Sequence, residues 1–591
     1  MKIRNKIIGL FIVLILSLSV FALPRNDAKY IYLYKYYKLN NDGSWSLKYE
    51  SKVKLNSYLA IRRFFGETFI NYNKKYQNLN ILKSETTMAD GKIIPTPKNG
   101  YNEILPYSAH GFADFTHIRQ MVVSHTGIER GAIEELNYII NSKKEFFGGN
   151  FQATEPLSLN IPIDTLTIVF EIPSNKEFNY YLLNSVVKPE IKEEGNTRKY
   201  IFKLTNIKKS EYVYPYNIKD YPYLFVSVGD TLAEIKTLFE NQKLPKSVIE
   251  RVKKIAENSI DHYDLLFKIK KYIRETMQTV HMNINNTGIR IRSMEKIINS
   301  HYATPLEKTA LLYSILNYCN FKPEIMVFSP VRQKGIISDA NNLFIKVADE
   351  DKMYYINPNI IQSSFYPYGY LDYYPFNVNN NKIENIKETI AFDNLIKISG
   401  KLYICPKKEN EIMIKTKGYF NNYRQLINNE LSFLQSVLNK TIGTKATNIL
   451  KTLVKTPDEF SAKIKSKGSV FNKRYDKYYF LENINIPEIS QIDTNMFFNS
   501  LPYNFKTPFS ILYDLKIVLP NNFSIDFIKD DMKIENNVGF YIRKLKKGKE
   551  GSISLLLYLS IKKNKIKDKN SLKEILNTVG NDRNLLILIK K

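Results

Sequence analysis

Short segments of alternating hydrophobic and polar residues fill the chain from about residue 30 to residue 226. The segments at 166–172 and 199–204 are rich in β-branched and aromatic residues, as strands are. Turn signals such as Asn41-Asp42-Gly43 and Ala89-Asp90-Gly91-Lys92 separate them. The pattern predicts a β-sandwich domain over residues 23–228.

The period of the hydrophobic residues changes after residue 229. Helical spacing covers residues 231–241, 246–258, 262–277 and 306–319. Three apolar strand segments follow, at 324–328, 343–347 and 353–356. This order predicts a mixed α/β domain over residues 229–378.

Strand-like alternation returns after a stretch rich in Lys and Asn at 377–388, most clearly at 509–518 and 552–561. A helical segment is predicted before these two strands, at 423–453. We therefore predict a second β-sandwich with a helical insertion over residues 379–591. The predicted fold class is multidomain α+β, with two mainly antiparallel β-sandwiches flanking the α/β domain. The sequence contains no short-period repeat of the solenoid kind.

The first residues predict export. Lys2, Arg4 and Lys6 precede an apolar run at 7–20, and small residues follow. This is the pattern of a signal peptide at 1–22, cleaved near Ala22, and it predicts a periplasmic or secreted protein. The run is long for a signal but short for a membrane span, so an uncleaved N-terminal anchor is the alternative.

Composition limits the partners. The formal net charge is +28, with 86 Lys and Arg against 58 Asp and Glu. Export argues against nucleic acid as the partner, and a compositionally biased genome explains the excess as ordinary solvated surface. A peripheral contact with an anionic membrane surface is the remaining prediction from charge.

The sequence predicts no metal site and no cofactor. Cys319 and Cys405 are the two cysteines, and whether they form a disulfide stays open. His110, His117 and His125 follow one another without the spacing of a zinc site, so ordinary roles in turns or strands are expected.

The most informative stretch begins at residue 300. Thr304 is placed to cap a helix, Glu307 to reach back to the cap, and Pro305 to occupy the first helical position. Apolar residues beyond the cap, including Leu311 and Ile315, share one broad face, which predicts a buried helix.

The order of this helix and the three strands that follow resembles the transglutaminase-like, papain-related fold. The whole chain resembles bacterial exported proteins in which such a domain lies between two β-sandwich domains of unknown function, including the segments 90–92 and 127–131. Active members carry a Gly-Asp-Cys-Lys-Asp-Lys-Ala type motif at the helix start, His on the next strand and Asp-Pro after the third. The helix N-terminus lowers the pKa of the thiol, while His and Asp activate and orient it.

The resemblance assigns the three catalytic positions to residues that cannot perform this chemistry. Glu307-Lys308 aligns with the Asp-Lys of the motif, which places Pro305 at the nucleophile. Leu343 falls at the His position and Asn357 at the orienting carboxylate. A proline has no thiol and a leucine accepts no proton. The resemblance therefore implies a pseudoenzyme.

Two groups of residues offer alternatives. His301 with Glu307 or Asp339 would make a hydrolase or acyltransferase of unfamiliar mechanism, whereas Cys319 is expected to be a core residue. A tyrosine-rich run at 364–376 forms either a groove for peptide or glycan or a loop packed over the domain. Its tyrosines are Tyr366, Tyr368, Tyr370, Tyr373 and Tyr374.

Three functions remain open from sequence. The first is a binding or scaffold protein of the cell envelope, whose partner is an unknown protein, peptide or glycan. The second is the enzyme of unfamiliar mechanism. The third is a purely structural component of an envelope assembly.

Overall fold

A computed structural model gives the structure of the chain. The predicted signal peptide at 1–22 and Cys405 lie outside the residues that it describes, so neither is tested. No helix among the described residues is long and apolar enough to cross a membrane. The described residues are 26–591 without 211–216, 333–338, 350–351, 361–364, 368, 387–393, 405–407, 422–424, 427–428, 443, 457, 469–472, 476, 482–502, 506, 550, 564 and 583–585.

The chain is β-rich and forms two compact units. The first contains the described residues of Met1–Tyr212 with Tyr221–Ile235 and Val280–Arg290. The second contains those of Val213–Asp220, Lys236–Thr279 and Ile291–Lys591. The second unit thus includes most of the predicted α/β segment together with the C-terminal β-rich segment.

The strands of the first unit form one eight-stranded sheet, in the order β12-β13-β10-β1-β2-β8-β4-β5, and two three-stranded sheets, β11-β14-β9 and β3-β7-β6. Their bounds are β1 Ala28–Leu39, β2 Trp45–Leu55, β3 Glu67–Asn73, β4 Gln77–Thr87, β5 Ile93–Pro95, β6 Tyr101–Ile104, β7 Ile118–Ser124, β8 Ile133–Ser142, β9 Phe151–Pro156, β10 Ile163–Pro173, β11 Phe178–Leu183, β12 Glu190–Glu194, β13 Thr197–Ile207 and β14 Tyr223–Val228.

The helices lie mainly in the middle of the chain. They are α1 Thr231–Glu240, α2 Lys246–Glu257, α3 His262–Thr276, α4 Ile284–Thr287, α5 Met294–Ser300, α6 Pro305–Tyr318, α7 Glu430–Lys440 and α8 Lys569–Asp582. A short helical turn, Tyr58–Ala60, continues into the π-helix Ile61–Phe65 in the first unit.

The second unit has a five-stranded antiparallel sheet, β19-β18-β17-β20-β21, and an eight-stranded sheet, β24-β25-β23-β22-β29-β33-β32-β31. A four-stranded sheet, β26-β27-β35-β30, and two short pairs, β15-β16 and β28-β34, complete it. The bounds are β15 Gln278–Thr279, β16 Tyr302–Ala303, β17 Glu324–Ser329, β18 Leu343–Asp349, β19 Lys352–Ile356, β20 Tyr374–Asn377, β21 Lys382–Ile383, β22 Leu395–Tyr403, β23 Asn410–Lys417, β24 Lys445–Lys455, β25 Glu459–Lys467, β26 Lys473–Tyr475, β27 Tyr478–Leu481, β28 Tyr503–Asn504, β29 Phe509–Val518, β30 Ser524–Ile528, β31 Met532–Glu535, β32 Gly539–Lys547, β33 Ser552–Ile561, β34 Lys565–Ile566 and β35 Ile587–Lys590.

The two eight-stranded sheets repeat one topology. In the first, β1 pairs antiparallel with β2 and parallel with β10. In the second, β22 pairs antiparallel with β23 and parallel with β29. The order β12-β13-β10-β1-β2-β8-β4 of one sheet corresponds strand by strand to β32-β33-β29-β22-β23-β25-β24 of the other. The chain therefore contains two copies of the same sheet architecture, separated by the helical region.

Each large sheet buries one face. Along β29 the side chains of Ile511, Tyr513 and Leu515 are buried, whereas those of Asp514 and Lys516 are exposed. Strict alternation of this kind places apolar residues on one side of a strand and polar residues on the other. The strands predicted at 509–518 and 552–561 are confirmed as β29 and β33.

The prediction of a helix at 423–453 is wrong over its second half. Helix α7 ends at Lys440, and Lys445–Lys455 is the edge strand β24. The register between β24 and β25 shifts at three places along this pair. Such bulges interrupt the period of two, so Leu450 and Leu453 acquire a spacing of three that imitates a helix.

Candidate functional site

Helix α6 begins at a complete capping box, as the sequence predicts. The Thr304 hydroxyl accepts a hydrogen bond of 3.2 Å from the Glu307 N–H. A Glu307 carboxylate oxygen accepts one of 2.9 Å from the Thr304 N–H. Pro305 occupies the first helical position, where no N–H is required. The cap therefore fixes the first residue of the helix.

Arg292 holds the same Glu307 carboxylate on both of its oxygens. Its Nε and Nη2 each donate at 2.8 Å, to Oε1 and Oε2 respectively. The side chain of Glu307 is 2% exposed and that of Arg292 13% exposed. Arg292 also donates to the carbonyl of Tyr302 at 2.7 Å. This bidentate pair joins the loop before α5 to the start of α6.

The polar groups considered for an unfamiliar mechanism are either hydrogen-bonded to other residues or exposed. Both oxygens of Glu307 accept hydrogen bonds from Arg292, and no hydrogen bond between Glu307 and His301 is found among the described residues. His301 is exposed and adopts a left-handed backbone, with φ of 57°, at the end of α5. Asp339 accepts hydrogen bonds from the backbone and the side chain of Asn341, at 3.1 and 2.8 Å.

The structure brings the three triad positions together through Asn359. The Asn359 side chain donates to the Pro305 carbonyl at 3.2 Å, and its N–H donates to the Asn357 side-chain oxygen at 2.8 Å. The Asn357 amide in turn donates to the Leu343 carbonyl at 2.9 Å and to the Asn341 carbonyl at 2.8 Å. A hydrogen-bonded chain thus links the helix start to the ends of β18 and β19.

None of the three positions offers acid, base or nucleophile chemistry. Pro305 is buried, and Leu343 is 0% exposed. The two hydrogens on the Asn357 nitrogen point at main-chain carbonyls, a role that an ionised carboxylate cannot take because it only accepts hydrogen bonds. The arrangement holds backbone segments together.

Asn359 was missed by sequence reasoning. An available signal was the sequence Asn357-Pro358-Asn359, because an Asn side chain often accepts a hydrogen bond from the N–H two residues ahead and so closes a turn. The Asn359 side-chain oxygen is buried, and no protein partner for it is found among the described residues.

Two buried lysines lie in this region, Lys270 on α3 and Lys308 on α6. The Lys308 ammonium donates to the Met277 carbonyl at 2.8 Å and to the Thr279 hydroxyl at 2.6 Å. Burial, with a smaller contribution from Arg274, lowers the pKa of Lys308 to about 8. The same two causes lower the pKa of Lys270 to about 7. The Lys270 ammonium lies 5.7 Å from the centre of the Phe365 ring.

We expect the free energy of unfolding of the second unit to rise with pH above about 7. The folded pKa of Lys270 is about 7, whereas a lysine in an unfolded chain titrates near about 10.4. The unfolded chain therefore binds more protons between these values, and stability increases with pH there. Lys270→Met removes the titrating group, so the free energy of unfolding of this variant should change less with pH than that of the wild type.

Urea unfolding at pH 6.5 and at pH 9 measures this slope for the wild type and for Lys270→Met. Lys253→Met, a change of an exposed lysine on α2, is the control and keeps the wild-type slope. An unchanged slope in Lys270→Met would show that Lys270 is not the cause.

The tyrosine-rich run is mostly packed against the five-stranded sheet. The Tyr370 ring contacts the rings of Phe328 and Phe344, with centres 5.9 and 5.3 Å away, and its hydroxyl donates to the Asn341 carbonyl at 3.1 Å. Burial raises the pKa values of both Tyr370 and Tyr373. Tyr366 is half-buried, and Tyr368 lies outside the described residues.

A small cavity remains beside this run. Its volume is about 220 Å³. The Lys219 ammonium lies 5.6 Å from the centre of the Tyr373 ring and 5.0 Å from that of Tyr374. The lining includes Phe328, Arg332, Tyr370, Tyr373, Tyr374 and Glu384. Three of the tyrosines predicted to form a groove therefore line a cavity.

Cys319 is unsuited to nucleophilic catalysis. It caps the C-terminal end of the 14-residue helix α6, about 21 Å from Pro305 along the helix axis. Its thiol is free, and burial raises its pKa to about 11. A thiol with this pKa is almost fully protonated at neutral pH.

A second buried polar cluster lies in the first unit, where the sequence indicated only ordinary histidines. His125 Nε2 is 3.0 Å from a Glu134 carboxylate oxygen and 2.9 Å from the Thr68 hydroxyl. His125 Nδ1 lies 3.5 Å from the Ser84 hydroxyl, which is itself 2.7 Å from the Thr96 hydroxyl. His125 and Glu134 are 6% and 3% exposed. The cluster ties strands of two sheets together inside the unit.

No group of three or more His, Cys, Asp or Glu side chains is arranged to hold a metal within the described parts of the chain.

Comparison with known proteins identifies one domain and one fold. Residues 41–211 match the model of a domain of unknown function with solved structure, DUF3857. A crystal structure from Parabacteroides distasonis ATCC 8503, described as that of "a putative protease", matches with a TM-score of 0.72 at 18% identity. The match covers 96% of this chain and 99% of that one. At this identity the likeness establishes a shared fold alone.

Other solved structures are similar over a smaller part. An M1 zinc metallopeptidase from Deinococcus radiodurans matches over 34% of this chain and 42% of its own, at 8% identity. The TM-score of 0.19 is too low to indicate a shared fold. No curated protein is significantly similar in sequence. The chain is therefore a β-rich, multidomain protein that contains a DUF3857 domain.

Proposed function

We propose that the chain is a non-catalytic, transglutaminase-like protein of the bacterial envelope that acts in binding or as a scaffold. Its domains are a signal peptide at 1–22, a β-sandwich at 23–228, the degenerate transglutaminase-like domain at 229–378 and a second β-sandwich at 379–591. The capped helix α6, followed by strands β17, β18 and β19, supports the transglutaminase-like assignment. Fold likeness alone assigns no activity.

The observation that carries the proposal is the hydrogen-bonded chain from Pro305 to Leu343. Acyl transfer by this scaffold needs a thiolate at the helix start and an ionisable base beside it. Here the first residue of α6 is a proline, and the amide of Asn357 is committed to two main-chain carbonyls. The thiol of Cys319 sits at the far end of the helix.

The cavity beside Tyr373 supports a role in binding rather than as a scaffold alone. Its volume of about 220 Å³ is below the range of about 300–1,000 Å³ that accommodates a whole small-molecule ligand. Such a cavity suits one side chain of a peptide or one sugar ring, and tyrosine rings offer both with a flat contact surface.

The test is a turnover measurement on the purified protein. Amine and glutamine acyl donors report transamidation, and a mixture of fluorogenic peptides reports hydrolysis. We expect no product above that of a Cys319→Ser/Cys405→Ser variant. Peptides are included because a protein of the same fold is described as "a putative protease".

Two outcomes would overturn the non-catalytic assignment. Turnover that disappears when the cysteines are replaced would identify a thiol enzyme. Turnover that survives those replacements but is lost in His301→Ala would identify the mechanism based on His301. Asn380→Asp changes an exposed residue and is the control variant, which should keep any such activity.

A further inference from the structure

The exposed face of the second eight-stranded sheet carries unusually many lysines. Buried apolar residues and outward polar residues alternate along its strands. Outward lysines occur on β22, β25, β29 and β32. We call the following residues the lysine face: Lys397, Lys401, Lys463, Lys516, Lys544 and Lys546.

The strand register places positive charges side by side. Lys401 of β22 is directly opposite Lys516 of the parallel strand β29. Beyond Lys516, the same row across the sheet continues through Ser554 to Lys546. Like charges at directly opposite positions destabilise a sheet, so this arrangement is unfavourable for the isolated fold.

The acidic residues closest in register to the lysine face do not pair with it. Glu411 lies opposite Lys401, and Asp514 lies opposite Ser399. Neither comes within ion-pair distance of a lysine of the lysine face, and over the described parts of the chain these lysines have no ion-pair partner. Their charge is therefore available to an external anion.

The corresponding sheet of the first unit pairs several of its outward lysines with carboxylates. Its outward carboxylate Glu135 pairs with Lys52 and Lys83, at 3.1 and 3.2 Å. Glu171 pairs with Lys38 at 3.1 Å and lies 3.6 Å from Lys199. In the second sheet, Lys415 and Lys417 of β23 likewise pair with Glu459, so the unpaired charge of that sheet is that of the lysine face.

Half-exposed apolar side chains lie between the lysines. Leu512 of β29 is opposite Tyr558 of β33, and Tyr558 is opposite Ile542 of β32. Leu556 lies opposite Lys544. All four apolar residues are only partly buried. A surface that combines flexible ammonium groups with apolar side chains suits the boundary between lipid headgroups and acyl chains.

We propose that the lysine face docks on an anionic phospholipid bilayer. The lysines contact lipid phosphates, and the apolar residues between them reach the headgroup boundary. Charge complementarity selects this partner, since the face offers many cations over a continuous surface rather than a single anion site. The proposal concerns a different surface from the triad positions and does not depend on their being inactive.

The test is co-sedimentation of the purified protein with lipid vesicles. We expect binding to vesicles of phosphatidylcholine mixed with phosphatidylglycerol, and none to phosphatidylcholine alone. Binding should decrease as salt rises from about 0.1 M to about 1 M, because the screening length falls from about 10 to about 3 Å. Lys401→Gln/Lys516→Gln should weaken binding about thirtyfold.

The matched control is Lys92→Gln/Lys98→Gln, which removes the same charge from exposed positions of the first unit and should keep wild-type binding. All variants share one N-terminus, so a difference between them cannot come from the apolar run at 7–20. Circular dichroism confirms that each variant is folded.

Three results would overturn the proposal. One is no binding to the anionic vesicles at low salt. Another is an equal loss in both double variants, which would indicate net charge rather than this face. The third is binding that does not weaken as salt rises from about 0.1 M to about 1 M, which would show that charge does not hold the protein on the vesicles.

Discussion

Replacing Glu307 with alanine is expected to lower the free energy of unfolding of the second unit by about 3–5 kcal/mol. The change leaves the Arg292 guanidinium largely buried without the carboxylate that receives two of its hydrogen bonds. It also removes the acceptor for the Thr304 N–H and so opens the cap of α6. Urea unfolding measures the loss, and hydrogen exchange of the α6 amides localises it.

Two further variants separate the buried pair from a general effect of losing a glutamate. Glu250→Ala, at an exposed position of α2, is expected to change stability by less than about 0.5 kcal/mol. Arg292→Met combined with Glu307→Leu removes both charges and should restore part of the loss, because neither charge is then buried alone. A loss below about 1 kcal/mol in Glu307→Ala would show that the pair is not structurally important.

The helical middle of the chain could be predicted closely because its signals are local. Thr304, Pro305 and Glu307 lie within one turn, and their capping box is observed. The helices predicted at 246–258 and 262–277 are observed as Lys246–Glu257 and His262–Thr276. Each prediction depends on residues a few positions apart, which contact one another in any helix.

The duplicated sheet topology could not be predicted in this way. The parallel pairs β1 with β10 and β22 with β29 join strands that are far apart in the sequence. Alternation of apolar and polar residues shows that a segment is a strand but does not show which other strand it pairs with. The pattern also fails where bulges interrupt it, as in Lys445–Lys455, which resembled a helix.

The assignment of the triad positions stays a prediction, although the structure brings the assigned residues together. Pro305, Leu343 and Asn357 were placed at the triad positions from flanking residues, and the structure joins them by hydrogen bonds. The linking residue, Asn359, was not predicted because its role depends on the Pro305 carbonyl more than 50 positions earlier. The pair of His125 and Glu134 was missed although the two residues are close in sequence, because His125 follows β7 of one sheet and Glu134 lies on β8 of another.

Asn357→Asp is expected to destabilise the second unit by about 3 kcal/mol at pH 7.5, although aspartate is the residue that the transglutaminase-like resemblance expects at this position. The amide of Asn357 donates to the carbonyls of Leu343 and Asn341. A carboxylate would instead face two carbonyl oxygens from a side chain that is 1% exposed. The Asn359 N–H still donates to this side chain, but a single donor does not offset the burial of a charge, and each carbonyl that loses its donor adds to the loss.

The pH dependence of Asn357→Asp identifies the cause. In this position the pKa of the new carboxyl is raised above its unfolded value, so the unfolded chain binds fewer protons and stability falls as pH rises. The protonated acid donates one hydrogen bond, and the loss should therefore be smaller at pH 4.5 than at pH 7.5. Asn380→Asp is the control, because Asn380 is exposed and its side-chain oxygen, which aspartate retains, accepts the hydrogen bond from Lys382. Equal stability of the two variants at pH 7.5 would mean that the site still tolerates the carboxylate of an active triad, and the structural role of Asn357 would have to be abandoned.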